Sequence, residues 1–233
     1  MTARIPDPRE YSHDRLGARF ADVVCDYDTT RRLETLVDEF LSDAIVSGRD
    51  VLDVGSGLGF FSERLVARGG RVVACDIGPR MVEMTRARAG CDAVVSDALA
   101  LGDRFGRDRF DVVVSSECIE HTPAPTIAIA QMIEVLKPGG LLSLSTPNVL
   151  WWPVVRAATV VGARPYDALE NFSSWRELRR AIERNGASVI AARGLHLFPF
   201  QFGLHRFSRW CDRRLQCFRG AMINICVLAR KRA

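Results

Sequence analysis

The sequence predicts an α/β fold, a doubly wound and mostly parallel sheet of seven strands with helices on both faces. Three observations predict it. Apolar segments of strand length alternate with segments of helical spacing along the chain. A glycine-rich turn follows the first of these strands, at residues 55–59. Acidic residues end three successive predicted strands, which is where ligands bind in sheets of this kind.

The glycine-rich turn begins at the end of a buried strand, in Val51–Phe60. A segment of helical spacing follows from Phe61, so the turn opens onto a helix N-terminus, whose free N–H groups suit a polar or anionic ligand. The dinucleotide fingerprint G-x-G-x-x-G would need a glycine at position 60, where this chain has Phe60. The turn therefore predicts a nucleotide-type site other than a dinucleotide site.

The acidic strand ends are the second feature of the predicted site. Asp76 lies about 20 residues beyond the glycine turn, the offset at which a carboxylate accepts hydrogen bonds from ribose hydroxyls. Asp97 ends the third strand and is also the residue type that caps a turn. Because parallel strands place their carboxyl ends at one edge, we expect Asp53, Asp76 and Asp97 to lie together.

Two motifs resemble those of the class I methyltransferases that use S-adenosylmethionine (SAM). The acidic-x-G-x-G-x-G turn resembles the first motif of that family, and residues 136–142 resemble its L-K-P-G-G-x-L element. The resemblance covers residues 45–150 and implies a Rossmann-like fold whose last strand is antiparallel. It implies SAM as the cofactor, with Asp76 on the ribose, Ile77 on the adenine face and Asp97 on the adenine amino group. The implied SAM-binding residues are Asp53, Gly55, Ser56, Gly57, Asp76, Ile77, Asp97, Ala98, Ser115 and Ser116.

The remaining elements divide one domain, residues 1–233, into four parts. Two helices are predicted over 11–47, and the resemblance implies that they cap the SAM pocket. There Tyr27, Arg31 or Arg32 could bind the methionine carboxylate. The alternative is that the aromatic ring packs in the core and the arginines are surface charges. The SAM-binding core is expected over 48–148, an acceptor lid over 149–170 and the rest of the fold over 171–233. Strands are predicted at 51–54, 71–76, 93–98, 110–115, 136–145, 188–192 and 222–229. Helices are predicted at 61–67 and 79–87, from Ser173 or Ser174, and, as a basic amphipathic helix, over 206–219.

A cluster of ionisable residues follows the fourth strand. Glu117, Glu120 and His121 stand at i, i+3 and i+4, one face of a helical turn. Their E-x-x-E-H spacing resembles the metal-binding turn of the ubiquinone-biosynthesis O-methyltransferases, which implies Mg²⁺ or Mn²⁺. His121, with Glu120, is the candidate base that removes a hydroxyl proton during methyl transfer. The alternative is a Glu-His pair that orients the acceptor or caps a helix without metal.

The acceptor is expected to be a small hydroxylated metabolite. Trp151 and Trp152 read as an aromatic platform for it or as a core-packed lid. The further candidate acceptor residues are Asn148, Tyr166 and His196. The preferred acceptor is a saccharide or glycolipid precursor, of the kind that bacterial sugar O-methyltransferases use. The second choice is a prenylated phenol or quinone precursor. A non-catalytic SAM-binding regulator is the hypothesis from another class.

Composition limits the expected partners. The 32 basic residues, nearly all arginine, face 28 acidic ones, and a net charge of +4 argues against general nucleic-acid binding. Seven cysteines without a C-x-x-C pair read as thiols in a reducing compartment. No apolar segment has the length of a membrane span, so a cytoplasmic protein is expected. A membrane surface, through the basic helix, and a second copy of the chain are the further candidate partners.

Overall fold

Seven strands form one sheet in the order β3-β2-β1-β4-β5-β7-β6 in this computed structural model, which describes residues 26–160, 169–199 and 203–233. β7 runs antiparallel to both of its neighbours, β5 and β6, and the other pairs are parallel. The predicted α/β fold is thereby confirmed. The strands are β1 Asp50–Val54, β2 Arg71–Asp76, β3 Asp92–Val95, β4 Phe110–Ser116, β5 Leu136–Pro147, β6 Ala187–Leu195 and β7 Asn224–Lys231.

Nine α-helices lie among the described residues. They are α1 Asp26–Leu33, α2 Asp43–Val46, α3 Phe60–Ala67, α4 Pro79–Ala89, α5 Leu101–Phe105, α6 Pro125–Glu134, α7 Trp152–Val160, α8 Trp175–Arg184 and α9 His205–Arg214. A π-helical segment, Glu34–Glu39, continues α1. Short 3₁₀ turns are Ile119–His121, Val149–Trp151 and Gln216–Ala221. The basic helix thus ends earlier than predicted, and the predicted segment 11–25 lies outside the described residues.

Helices cover both faces of the sheet because the buried strands are apolar on both sides. Val113 of β4 packs in one cluster with Met132 of α6. Its neighbour Val112 packs in another cluster with Leu65 of α3. Adjacent residues of a strand point to opposite faces, so a continuous apolar strand needs a helix layer on each side. This is the doubly wound arrangement.

The register of the central strands places the candidate site. Val54, the last residue of β1, pairs with Cys75 of β2 on one side and with Ser115 of β4 on the other. The segments that follow these three strands therefore start side by side at the carboxyl edge of the sheet. The glycine turn and the 117–121 cluster belong to those segments, and Asp76 is the last residue of β2.

Candidate cofactor and methyl-transfer site

The glycine turn connects β1 to α3 in a conformation that side chains would obstruct. Gly55 has φ 72°, and a Cβ atom there would lie 2.5 Å from the Sγ atom of Cys118. Gly59 has φ 82°, and its Cβ would lie 2.9 Å from the Cα atom of Thr85. Gly57 has φ 52° with no atom within 4 Å of the place its Cβ would take. The turn is thus packed on both sides at its ends and open in the middle.

Helix α4 holds this turn from the outside. The hydroxyl of Thr85 donates to the carbonyl oxygen of Gly57 at 3.1 Å and lies 3.0 Å from the hydroxyl of Ser56. The Arg88 guanidinium donates to the carbonyl oxygen of Leu58 at 2.7 Å. These bonds satisfy polar groups of a segment that has no strand or helix partner of its own.

Asp76, at the end of β2, binds the turn from the inside. Its two carboxylate oxygens accept from the backbone N–H groups of Gly57 and Gly78, each at 2.9 Å. A carboxylate has about four acceptor positions, so hydroxyl donors can still be accommodated. Asp97 follows β3, and its Oδ1 accepts from the Leu99 N–H at 2.9 Å, which is the turn-capping contact considered above.

A cavity opens between this turn, the two carboxylates and the first helix. Most of the predicted SAM-binding residues line it, namely Gly55, Ser56, Gly57, Asp76, Ile77, Asp97, Ala98 and Ser116. Asp53 and Ser115 lie behind the cavity wall instead. The Ser115 hydroxyl donates to the carbonyl oxygen of Val54 at 3.0 Å and supports the end of β1.

The Asp53 carboxyl is buried beneath the glycine turn, with 2% of its surface exposed. Its Oδ2 accepts from the Ser62 hydroxyl of α3 at 2.5 Å. Burial raises its pKa to about 7, and the nearby Asp76 carboxylate adds to the rise although Ser62 opposes it. Asp53 therefore ties β1 to α3 rather than facing the cavity.

Some cavity residues had not been predicted as SAM ligands. Thr29 of α1 is one of them, and it forms one wall together with Arg32, which had been considered for the methionine carboxylate. Of the three residues considered for that helix, Arg31 bonds Glu34 and Asp212, and the Tyr27 hydroxyl donates to the His205 carbonyl oxygen, so only Arg32 reaches the cavity. Apolar side chains complete the wall. The apolar lining residues are Val54, Leu58, Phe60, Phe61 and Met81.

Arg32 is fixed by its neighbours. Its guanidinium donates to Asp28 Oδ2 at 3.0 Å and to the Ser116 hydroxyl at 2.5 Å. The His196 ring nitrogen Nε2 lies 2.9 Å from the other Asp28 oxygen. Burial by itself would raise the pKa of Asp28, but Arg32 and His196 outweigh it and lower that pKa to about 2. The positively charged Arg32 guanidinium is thus held in place at the cavity wall.

The predicted Glu117–Glu120–His121 metal site is not formed. Glu117 has a left-handed backbone, φ 50°, and precedes the 3₁₀ turn, so the helical spacing assumed for the three residues does not apply. The Glu117 carboxylate accepts from the Ser145 hydroxyl at 2.8 Å, and that of Glu120 accepts from Thr146 at 3.3 Å. In the part of the chain that the structure describes, no group of three or more His, Cys, Asp or Glu side chains is placed to hold a metal ion. The donor set therefore does not fit Mg²⁺ or Mn²⁺.

The two glutamates are acids beside the cavity, Glu120 buried and Glu117 half-buried. Burial raises the pKa of Glu117, although the Arg32 charge opposes it. Burial also raises the pKa of Glu120 well above its usual value, and the Glu117 carboxylate adds to that rise. Glu117 lines the cavity, whereas Glu120 lies behind it.

His121 lies at the cavity wall with a defined ring orientation. Its Nδ1 lies 2.9 Å from the carbonyl oxygen of Leu169. Because a carbonyl oxygen only accepts, Nδ1 carries the proton and, in the neutral ring, Nε2 carries the lone pair. Nε2 is 3.9 Å from Glu120 Oε1, too long for a hydrogen bond. The basic nitrogen of the ring in this tautomer is thus Nε2.

The predicted acceptor residues have other roles in the structure. The Asn148 amide donates to the carbonyl oxygens of Gly220 and Met222, and the Trp151 indole donates to that of Ala221. His196 is fully buried against Asp28, and Trp152 is exposed at the start of α7. None of these four is among the described residues that line the cavity. Tyr166 lies outside the described residues.

This chain is similar to known methyltransferases in part of its sequence. Residues 52–144 match a family model described as a methyltransferase domain. The "Ubiquinone biosynthesis O-methyltransferase" of Xanthomonas euvesicatoria is 37% identical over 130 residues, 54% of this chain and 54% of that protein. The protein of the same name from Nitrosococcus oceani is 26% identical over 83% of this chain and 87% of its own length. The chain thus spans about half the length of the first of these relatives.

Solved structures share the fold at low sequence identity. A SAM-dependent methyltransferase from Mesorhizobium loti has a TM-score of 0.67 and 17% identity, covering 88% of this chain and 100% of its own. Magnesium protoporphyrin IX methyltransferase from Synechocystis, solved with bound SAH, has a TM-score of 0.66 and 17% identity, covering 94% and 97%. No helix within the described residues is long and apolar enough to cross a membrane. Residues 52–144 are therefore similar to a methyltransferase domain, and the described residues have a class I methyltransferase fold.

Proposed function

We propose that this chain transfers a methyl group from SAM to a hydroxyl oxygen of a phenol of the prenylated quinone-precursor type. The observation that carries the proposal is the His121 ring, held at the wall of a glycine-turn cavity with Nε2 as its acceptor nitrogen. The relatives named for ubiquinone biosynthesis favour the phenol over the saccharide, which the sequence had placed first. The predicted sugar-binding side chain of Asn148 is, moreover, engaged by backbone carbonyls.

The residues present fit SAM. The open space at Gly57 lets a ligand approach the backbone where a side chain would block it. Asp76 would accept from ribose hydroxyls, Asp97 would accept from the adenine amino group, and Arg32 would bind the methionine carboxylate. When bound, SAM supplies an electrophilic methyl group on a positively charged sulfur. The Synechocystis relative in fold was solved with bound SAM and with bound SAH.

His121 is assigned the proton transfer. Nε2 of His121 would take the hydroxyl proton as the acceptor oxygen bonds to the methyl carbon that SAM would supply, and the electron pair of the broken carbon–sulfur bond would stay on sulfur. The cavity walls would have to hold the oxygen and the methyl group in line, which is the main requirement of such a displacement. Leu169 keeps the ring in the required tautomer. No step is assigned to a metal, since the Glu117 and Glu120 carboxylates are turned to Ser145 and Thr146.

The test is a methyl-transfer assay on the purified protein with labelled SAM and two acceptors, a prenylated catechol and a mannose oligosaccharide. We expect turnover of the catechol only. The His121→Asn variant should lose about 10²–10⁴-fold in kcat with unchanged SAM affinity by calorimetry, the range typical of a lost general base. His205→Asn, at the exposed start of α9, is the matched control and should keep full activity.

The assay separates the alternatives. Turnover of the saccharide alone would overturn the acceptor assignment, and equal kcat for His121→Asn would overturn the role of the ring. SAM binding without turnover of either acceptor would favour the non-catalytic regulator.

A further inference from the structure

Helix α9 buries polar residues and exposes aromatic ones. Ser208 and Asp212 are buried at 4% and 3% exposure, whereas Phe207 and Trp210 are exposed at 50% and 52%. A surface helix of a soluble protein ordinarily does the reverse, with its apolar stripe on the core. The outer face of α9 is thus built to contact something other than water.

The exposed rings form one continuous surface. Phe198, in the segment after β6, stacks on Phe207 with ring centroids 5.9 Å apart, and Phe207 stacks on Trp210 at 6.0 Å. We call Phe198, Phe207 and Trp210 the aromatic strip. Single exposed apolar residues are ordinary on a protein surface, but a stacked set of three large rings indicates a binding surface.

The strip is accompanied by positive charge. Arg206, Arg213 and Arg214 of the same helix are exposed. The single acidic residue of α9, Asp212, is buried and accepts from the backbone N–H of His196 and from Arg31. The solvent-facing charge of the helix is therefore entirely positive.

We propose that the aromatic strip and these three arginines dock the protein on an anionic lipid surface. Aromatic rings suit the boundary between headgroups and acyl chains, and arginines suit anionic headgroups. A second copy of the chain would fit less well, because a two-fold interface on this face would set arginines against arginines. The proposal does not rest on the acceptor or on the methyl transfer.

The position of α9 connects this surface to the cavity. The Tyr27 hydroxyl of α1 donates to the His205 carbonyl oxygen at 2.9 Å, and Arg209 of α9 donates to Glu34, just after α1, at 3.1 Å. Thr29 and Arg32 of the same helix α1 line the cavity. A lipid surface on α9 would thus lie one helix away from the candidate methyl-transfer site.

The test is flotation of the purified protein with vesicles of phosphatidylcholine alone or with phosphatidylglycerol. We expect binding only to the anionic vesicles and its loss at high salt. Replacing Arg206, Arg213 and Arg214 by Gln should lower the partition coefficient about fivefold for each arginine. Phe207→Ser with Trp210→Ser should lower it at least tenfold.

A control of equal charge is available on α8. Arg176, Arg180 and Arg184 are exposed there at four-residue steps, and their replacement by Gln should leave vesicle binding unchanged. Circular dichroism verifies that each variant is folded. Equal loss in the α8 control, equal binding to neutral vesicles, or a dimer that dissociates in the aromatic variant without any vesicle binding would each overturn the proposal.

Discussion

At the scale of single residues, burial of the Asp53 carboxyl makes stability depend on pH, in the same direction as the raised pKa values of Glu117 and Glu120 do. The pKa of Asp53 is raised to about 7, whereas an unfolded aspartate has a pKa of about 3.9. Between these values the folded state holds a proton that the unfolded state has released, so the free energy of unfolding falls as pH rises from about 4 to 7. At about 1.4 kcal/mol for each unit of pKa, the loss is on the order of 4 kcal/mol.

The variant Asp53→Asn should remove the contribution of Asp53 to this dependence and leave those of Glu117 and Glu120 in place. Asparagine is uncharged at every pH and its amide oxygen can still accept from Ser62. Urea denaturation of the protein without SAM, at pH 5 and at pH 8, measures the effect. The wild type should have a lower free energy of unfolding at pH 8 than at pH 5. At pH 8 the variant should have a higher free energy of unfolding than the wild type. If both proteins lose the same stability between the two pH values, Asp53 is not the responsible group.

The glycine turn allows a second prediction at this scale. Gly55→Ala places a Cβ atom 2.5 Å from Cys118 Sγ at a positive φ, whereas Gly57→Ala meets the positive φ alone. The positive φ costs about 1–2 kcal/mol for a non-glycine residue, and the contact at residue 55 adds to that. Thermal unfolding should therefore show a clearly larger loss for Gly55→Ala. Equal losses would mean that Cys118 moves aside freely.

At the scale of elements, helix α1 shows where sequence reasoning stops. The spacing of Arg31 and Arg32 puts both on one helix, and the resemblance left open which of them reaches the cavity. Packing against α9 and β4 decides it, since Asp212 of α9 lies opposite Arg31 and Ser116 of β4 lies opposite Arg32. Neither partner is close in sequence, so no local pattern could have identified Arg32.

The same element provides a third prediction. Asp28→Asn removes the charge that holds Arg32, and we expect SAM affinity to fall about tenfold or more, as for a lost charge-assisted hydrogen bond. Affinity for adenosine, which has no carboxylate, should remain unchanged by calorimetry. Asp26→Asn, the same change at the exposed start of α1, is the control. An equal loss for SAM and adenosine would point to general damage to the cavity rather than to Arg32.

The predicted metal turn failed for a reason that also belongs to this scale. The spacing of Glu117, Glu120 and His121 brings side chains together only if the backbone is helical throughout, and the positive φ of Glu117 breaks it. The strand ends were easier to predict. Alternation and apolar content are local properties, so β2 and the position of Asp76 follow from the sequence. The parallel register then places Asp76 beside the end of β1.

At the scale of the whole molecule, one strand completes the sheet. β7 bonds to β5 over Leu141–Pro147 and to β6 over Ala187–Leu195, so it lies between two strands that come earlier in the chain. Its place could not be read from local patterns, and only the resemblance implied its antiparallel direction. Without it, β5 and β6 would each present an unpaired edge.

A truncation tests this role. A chain that ends at Met222 should be insoluble or lack a cooperative unfolding transition, because two strand edges and the apolar side chains of β7 are affected together. Removing Arg232 and Ala233 alone, beyond the end of β7, is the control and should leave a soluble protein with cooperative unfolding. A soluble, cooperatively unfolding chain that ends at Met222 would contradict the assignment.

The insertion of β7 between β5 and β6 also has a kinetic consequence. During synthesis β6 leaves the ribosome well before the segment that joins it to the rest of the sheet, and β6 has no hydrogen-bonded neighbour other than β7 among the described strands. Contacts between distant parts of a chain form slowly. The final closure of the sheet must therefore follow translation of its last strand, and the nascent protein passes through an interval in which it is most exposed to aggregation.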